Sequence, residues 1–176
     1  MYSIASIFSN QDETIWKSLN KTCEYGGLHK TAIPHFSWQS AESYHFDRVR
    51  AELAKISTEV APFSFKTSGV GIFNNKRKIF FLIIVKNRAL LEMHEMIWQR
   101  TVRFTEQANL HYSPENWIPH ITLNLNELTE DQFKCSVDEL TRKPMNYEFE
   151  VHEFGLLYLT STSSGIDSLY PLEPDK

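Results

Sequence analysis

The sequence predicts an α+β chain of two lobes facing each other across a central cleft, with helices on the outside. Three observations carry that expectation. Segments with apolar residues at helical spacing are interspersed with short apolar or alternating segments that read as strands. The order helix, strand entered from proline, helix, two consecutive strands occurs twice. Each pass centres on a short polar motif, Pro34-His35-Phe36-Ser37 in the first and Pro119-His120-Ile121-Thr122 in the second, with the histidines 85 positions apart (120 − 35). No linker separates the passes, so residues 1–176 are read as one domain built from two duplicated lobes.

In order along the chain, residues 3–8 are short and apolar, a first strand. Asp12 then caps a helix with Ile15, Trp16, Leu19 and Cys23 on one face, ended by Gly26-Gly27. Residues 31–39 read as a strand, followed by a helix that buries Phe46, Val49, Leu53, Ile56 and Val60 until Pro62 stops it. Residues 63–73 and 78–85 are two strands joined by the polar turn Asn74-Asn75-Lys76-Arg77. A long helix from Asn87 turns Leu90, Leu91, Ile97, Trp98 and Phe104 inward, and residues 112–117 form a loop into a strand over 118–125. Thr129 with Gln132 makes a capping box for a helix carrying Phe133, Val137 and Leu140, before Pro144. Residues 147–151 alternate as a strand, and 156–160 form the last one before a serine-rich loop at 161–165.

Composition narrows the function. The chain has 41% hydrophobic residues, 6 Gly, 7 Pro and a net charge of −4, which excludes disorder and collagen-like architectures. The longest apolar run, 79–85, has seven residues, far short of the about 20 a membrane helix needs. No secretory or lipidation signal is visible, so a cytoplasmic protein is expected. Cys23 and Cys135 form no metal-binding spacing, and reduced thiols are the default. An acidic chain lacks the cationic field of a protein that coats DNA. A nucleotide or a short RNA end remains as partner, and a monomer is expected.

On a strand, residues i and i+2 share a face. His35 therefore stands with Ser37 and His120 with Thr122, while Phe36, Trp38, Ile121 and Leu123 point the other way and anchor each strand in a core. If the lobes are related by a pseudo-twofold axis, two imidazoles and two hydroxyls confront each other. That set suits phosphodiester chemistry without a metal or cofactor. A neutral imidazole takes a proton from the nucleophile and a protonated one gives a proton to the leaving oxygen, because an ordinary pKa near 6.5 populates both forms. Ser37 and Thr122 are the candidate donors to phosphate oxygens.

These tetrads resemble the defining His-x-Thr/Ser-x motif, present twice, of the two-histidine (2H) phosphoesterases, and in particular the branch called 2′-5′ RNA ligase or RNA 2′,3′-cyclic phosphodiesterase. The likeness extends through Pro62-Phe63, Gly69-Val70-Gly71-Ile72-Phe73, Leu90-Leu91 with His94, Tyr112-Ser113-Pro114-Glu115, and Leu157-Tyr158-Leu159 to Tyr170. It implies two antiparallel sheets around a central cleft and hydrolysis or transfer at a 2′,3′-cyclic phosphate. The alternatives are 2′-5′ ligation or cleavage on longer RNA, or a nucleotide-binding module without turnover. Ser37 in place of the commoner Thr and the bulky Trp38 are departures that bear on substrate.

Other residues weigh less. His94 sits on an apolar helix stripe and reads as a core histidine; Trp98 occupies the place a zinc-protease helix gives its second His. His111 stands near the entry to the second tetrad. Gly69-Val70-Gly71 lacks the third glycine of a dinucleotide loop and reads as a bulged strand. Lys76-Arg77-Lys78 and Arg142-Lys143 are candidate RNA contacts or simply solvated charge. Tyr112, Trp117 and Tyr158 are candidate base-stacking platforms.

Overall fold

The computed structural model describes residues 1–8, 34–74, 78–124, 127–160 and 163–173. The helix expected over 12–27, the first positions of the strand expected from residue 31, and Cys23 lie outside the described residues.

Two antiparallel sheets organise the rest. Strands β1 (Tyr2–Ile7), β2 (His35–Tyr44), β5 (Thr105–Ala108), β8 (Glu153–Leu159) and β9 (Ser164–Pro171) form one sheet in the order β5-β2-β1-β8-β9. Strands β3 (Phe63–Phe73), β4 (Ile79–Ile84), β6 (His120–Thr122) and β7 (Glu148–Val151) form the other in the order β6-β4-β3-β7. Every pairing is antiparallel. Each sheet holds one histidine motif, β2 inside the first and β6 at the edge of the second, which realises the expected two-lobed α+β architecture.

The core is where the apolar alternation of both sheets meets. Phe8, Phe36 and Trp38 of the first sheet's side pack against Phe63, Phe65 and Phe149 of the second, with Phe36–Phe65 centroids 5.2 Å apart and Phe8–Phe149 5.2 Å apart. Full burial of each such side chain is worth about 1.5–3 kcal/mol, so this aromatic layer is the main force holding the two sheets in register with one another.

Three helices cover the sheets among the described residues. Helix α1 (Phe46–Glu59) buries Val49, Leu53 and Ile56, as the spacing predicts, and packs on α2, β8 and β9. Helix α2 (Arg88–Thr101) starts at Asn87, whose side chain accepts from the Leu90 N–H, and lies against β2. Arg100 ties the two helices together, reaching Glu52 at 2.7 Å and Glu59 at 2.6 Å. Helix α3 (Glu130–Thr141) has the expected capping box of Thr129 and Gln132 and stacks Phe133 on Phe80 of β4 at 5.4 Å.

Several expectations need correction. The helix from Asn87 ends at Thr101, not Phe104; a 3₁₀ turn over Val102–Phe104 leads into β5 on the edge of the first sheet. Nothing marked Thr105–Ala108 as a strand, because a polar edge strand has no buried face to impose alternation. Strand β9 follows the serine-rich loop and pairs along the whole of β8. The strand of the second tetrad is only three residues long rather than eight. Cys135 is disulfide-bonded, against the expectation of reduced thiols. The bulge predicted at Gly69-Val70-Gly71 is present: the β3–β4 register shifts between Thr67 and Val70, and Gly69 takes φ 87°, a conformation that glycine adopts without a Cβ clash.

Candidate active site

The polar and apolar faces of the two motif strands separate as their alternation requires. Phe36, Trp38, Ile121 and Leu123 are all buried, whereas His35, Ser37, His120 and Thr122 are partly open to solvent. Backbone bonds fix each strand at its proline: the Phe8 N–H donates to the Pro34 carbonyl at 3.0 Å, and the Ile84 N–H to the Pro119 carbonyl at 3.2 Å. Buried Asn124 closes the far end of β6, its Oδ1 accepting from the Phe80 N–H at 2.7 Å.

Strands β2 and β6 belong to different sheets yet run close together. The segment between α2 and β6 fastens them. Trp117 donates its indole N–H to the Ser37 carbonyl at 3.1 Å and lies flat on His94, ring centroids 3.7 Å apart and 7° from parallel. His94 Nε2 bonds to the Tyr112 carbonyl at 3.0 Å, and its ring also meets the Trp38 backbone. Burial pushes His94 down to about 4, outweighing those carbonyls, so the ring is neutral at physiological pH. It is the core histidine its helix stripe predicts.

His120 is shaped by three contacts. Its Nδ1 lies 2.7 Å from the Ile118 carbonyl. A carbonyl only accepts, so Nδ1 carries the proton and Nε2 holds the lone pair in the neutral ring. Phe73 and Phe81 meet the ring edge-on at 4.9 and 5.2 Å. Phe81 reaches it by lying across Gly71, where any side chain would collide with its ring. Burial lowers the His120 pKa below the ordinary imidazole value, the Ile118 carbonyl works against that shift, and a charge on His35 lowers it further. The two imidazoles are thus near enough to oppose each other's protonation.

A cavity of about 590 Å³ opens beside His120, within the range of small-molecule sites. His120, Thr122, Tyr112, Phe73, Asn109 and His111 are among its walls. The structure therefore brings His120, Thr122 and Tyr112 to one cavity, whereas His35 and Ser37, on the neighbouring strand β2, are not among its walls. Of the candidate stacking rings, Trp117 reaches the cavity but is only 2% exposed and packs on His94 and Trp38, leaving no open face for a base. Tyr158 is absent from the walls and lies over Gly165 of β9. Reading by residue type overlooked Phe73, Asn109 and Asn116, which line the cavity; the pairing of Phe73 with Ile79 at the β3–β4 turn was the signal that could have placed Phe73 beside it.

Of the candidate RNA contacts, Lys76 and Arg77 lie outside the described residues and the other three are engaged by their neighbours. Lys78 sits 4.5 Å over the Phe133 ring and 3.4 Å from Glu130, Arg142 pairs with Asp138 at 2.8 Å, and Lys143 with Glu139 at 3.7 Å. Among the described residues no group of three or more His, Cys, Asp or Glu side chains is placed to hold a metal ion, and no helix is long and apolar enough to cross a membrane.

Two antiparallel sheets, each presenting a histidine with a hydroxyl two residues on, define the architecture of the 2H phosphoesterases. The chain belongs to the 2′-5′ RNA ligase superfamily, whose pattern matches residues 13–162. Solved structures share the fold at low identity. The protein TT0787 of Thermus thermophilus is 15% identical with a TM-score of 0.65, each chain covered in full. A structure described as a phosphoesterase is 16% identical with a TM-score of 0.57, covering 98% of this chain and 94% of its own. Usb1 of Kluyveromyces marxianus is 12% identical with a TM-score of 0.52, covering 97% and 98%. No curated protein sequence matches the chain.

Proposed function

We propose that the protein is a phosphodiesterase that opens 2′,3′-cyclic phosphates of nucleotides or RNA ends by paired-histidine acid–base catalysis, with no metal in the reaction. The observation that carries this reading is the His120 environment: Nδ1–H spent on the Ile118 carbonyl, Nε2 left with its lone pair, and a second imidazole near enough to disfavour double protonation. Burial holds His120 toward the neutral state a general base needs, and the reading gives His35 the part of the acid in a one-step displacement. His120 Nε2 takes a proton from water as the water oxygen bonds to phosphorus. The bond from phosphorus to one ribose oxygen breaks, and that oxygen takes the proton of His35. Ser37 and Thr122 hold the non-bridging oxygens where negative charge accumulates. A nucleoside monophosphate leaves, and proton exchange with solvent resets the pair.

The experiment is product formation from 2′,3′-cyclic nucleotides in excess chelator, for the native protein beside His35→Ala and His120→Ala. Each substitution lowers kcat by about 10²- to 10⁴-fold. No turnover in the native protein, or full turnover in either variant, overturns the reading; turnover confined to 2′-5′-linked RNA moves the assignment to that substrate.

A further inference from the structure

Asn109 and Asn116 are walls of the cavity that His120 and Thr122 line, and the phosphoryl chemistry uses neither of them. Both lie on the segment between β5 and β6. Each amide has one end spent on its own turn, and that contact fixes which end is left. Asn109 Oδ1 accepts from the His111 N–H at 3.1 Å, at the start of the 3₁₀ turn Leu110–Tyr112. A backbone N–H only donates, so this end of the amide is the oxygen and the other is Nδ2, with two protons to give. Asn116 is held the opposite way round. Its Nδ2 donates to the Leu110 carbonyl at 3.3 Å and to Ser113 Oγ at 3.1 Å. A carbonyl only accepts, so the end left over is Oδ1, an acceptor. Neither Asn109 Nδ2 nor Asn116 Oδ1 meets a partner among the described residues.

A fixed donor and a fixed acceptor at one cavity select the kind of ligand. A phosphate group offers acceptor oxygens, which Asn116 Oδ1 repels; an ammonium or guanidinium group offers only protons, which Asn109 Nδ2 repels. A nucleobase edge sets an N–H beside a carbonyl oxygen or a ring nitrogen, and so satisfies both amides at once. Phe73 and Ile79, paired where β3 meets β4, give the same cavity an apolar wall suited to the flat of a ring.

We infer that Asn109 and Asn116 form a base subsite: Asn109 Nδ2 donates to an acceptor on the base edge, and Asn116 Oδ1 accepts from the donor beside it. The substrate is then a nucleoside cyclic phosphate rather than a cyclic phosphate diester of any other alcohol. This rests on the cyclic phosphodiesterase reading and narrows its substrate. Both asparagines determine specificity through binding and neither touches the reacting atoms.

The test compares nucleoside 2′,3′-cyclic phosphates with methyl ribofuranoside 2′,3′-cyclic phosphate, which keeps the sugar and the diester but has no base. Asn109→Asp keeps Oδ1 for the His111 N–H and removes both donors. Asn109→Ser removes them without adding a charge, since a serine hydroxyl also accepts from the backbone of a turn. In both variants KM for the nucleotide rises about 10-fold while kcat stays within about twofold, the pattern of lost ground-state binding. Turnover of the base-free diester is the same in Asn109→Ser as in the native protein, which also shows that the variant is folded. An unchanged KM for the nucleotide in both variants, or a rise in Asn109→Ser that the base-free diester shares, overturns the proposal. A second readout needs no catalysis: by calorimetry the native protein binds a nucleoside 2′-monophosphate about 10-fold more tightly than the base-free 2-phosphate, and Asn109→Ser loses that preference. This binding pattern without turnover of any cyclic phosphate refutes the enzyme reading and leaves the base subsite standing. Turnover with equal affinity for the two ligands in the native protein does the reverse, and absence of both turnover and nucleotide binding overturns the two together.

Discussion

His94 makes the protein acid-labile by an amount that can be worked out. It is buried, stacked on Trp117 and bonded to the Tyr112 carbonyl, and burial holds its pKa at about 4 against an ordinary 6.5 in the unfolded chain. Between those values the unfolded state binds one more proton than the folded state, so stability rises with pH there and falls as pH drops. Each unit costs about 1.4 kcal/mol, giving about 2 kcal/mol by pH 5 and about 3 kcal/mol by pH 4, and the loss from this group levels off about a pH unit below that. Lys86, which also disfavours the charged ring, acts in the same direction. The measurement is urea unfolding at steps from about pH 7 to about pH 4 for the native protein and His94→Gln, a substitution that cannot titrate. His94→Gln is the less stable at neutral pH, having lost the stacking contact, but its stability falls less steeply, so the two curves converge by about 3 kcal/mol toward pH 4. Other titrating groups are common to both proteins and cancel in the difference. Parallel curves would refute the reasoning, because they would mean His94 titrates alike in folded and unfolded chains.

Three further outcomes are expected. The acid limb of kcat/KM for the native enzyme lies below the ordinary imidazole pKa, since His120 must be neutral to accept a proton and its pKa is lowered; a limb above about 6.5, read from a pH–rate profile, contradicts this. Trp117→Phe keeps a ring on His94 but removes the donor to the Ser37 carbonyl, costing about 1–3 kcal/mol, or about 2–4 °C of Tm per kcal/mol, together with turnover; an unchanged Tm would show that the bond fastens nothing. Gly71→Ala forces Phe81 off β3 and out of contact with His120, lowering kcat by about 10-fold or more, while Gly165→Ala, which meets Tyr158 away from the cavity, leaves kcat within about twofold; equal effects on kcat would remove Phe81 from the account of the site.

What was legible in the sequence follows a physical division. Strong period-two alternation with buried partners, as in Phe36/Trp38 and Ile121/Leu123, declared both motif strands and the face each polar pair takes. Capping chemistry at Thr129 and Gln132 and the apolar stripe of α1 were equally explicit. Strands β5 and β9 were not, because both run along sheet edges where one row of side chains faces water and composition is unconstrained. The hydrogen bond of Trp117 to Ser37 spans a separation no spacing rule reaches. Sequence offered aromatic rings near the site as stacking surfaces; the fold uses Trp117 as a rivet between strands.

The two sheets also differ in how they are threaded. All four strands of the sheet carrying His120 come from one stretch, Phe63–Val151, whereas His35 sits in a sheet that combines β1 and β2 with β8 and β9. On the ribosome, the His120 sheet has all its strands while β8 and β9 are still being made. Strands β1 and β2 must wait for them with one side of β1 unpaired, a long-range closure of the kind that folds slowly. Completion of the sheet that holds His35 thereby waits on strands made after every strand of the His120 sheet, and until then the exposed edge of β1 is the surface that a nascent chain has to protect.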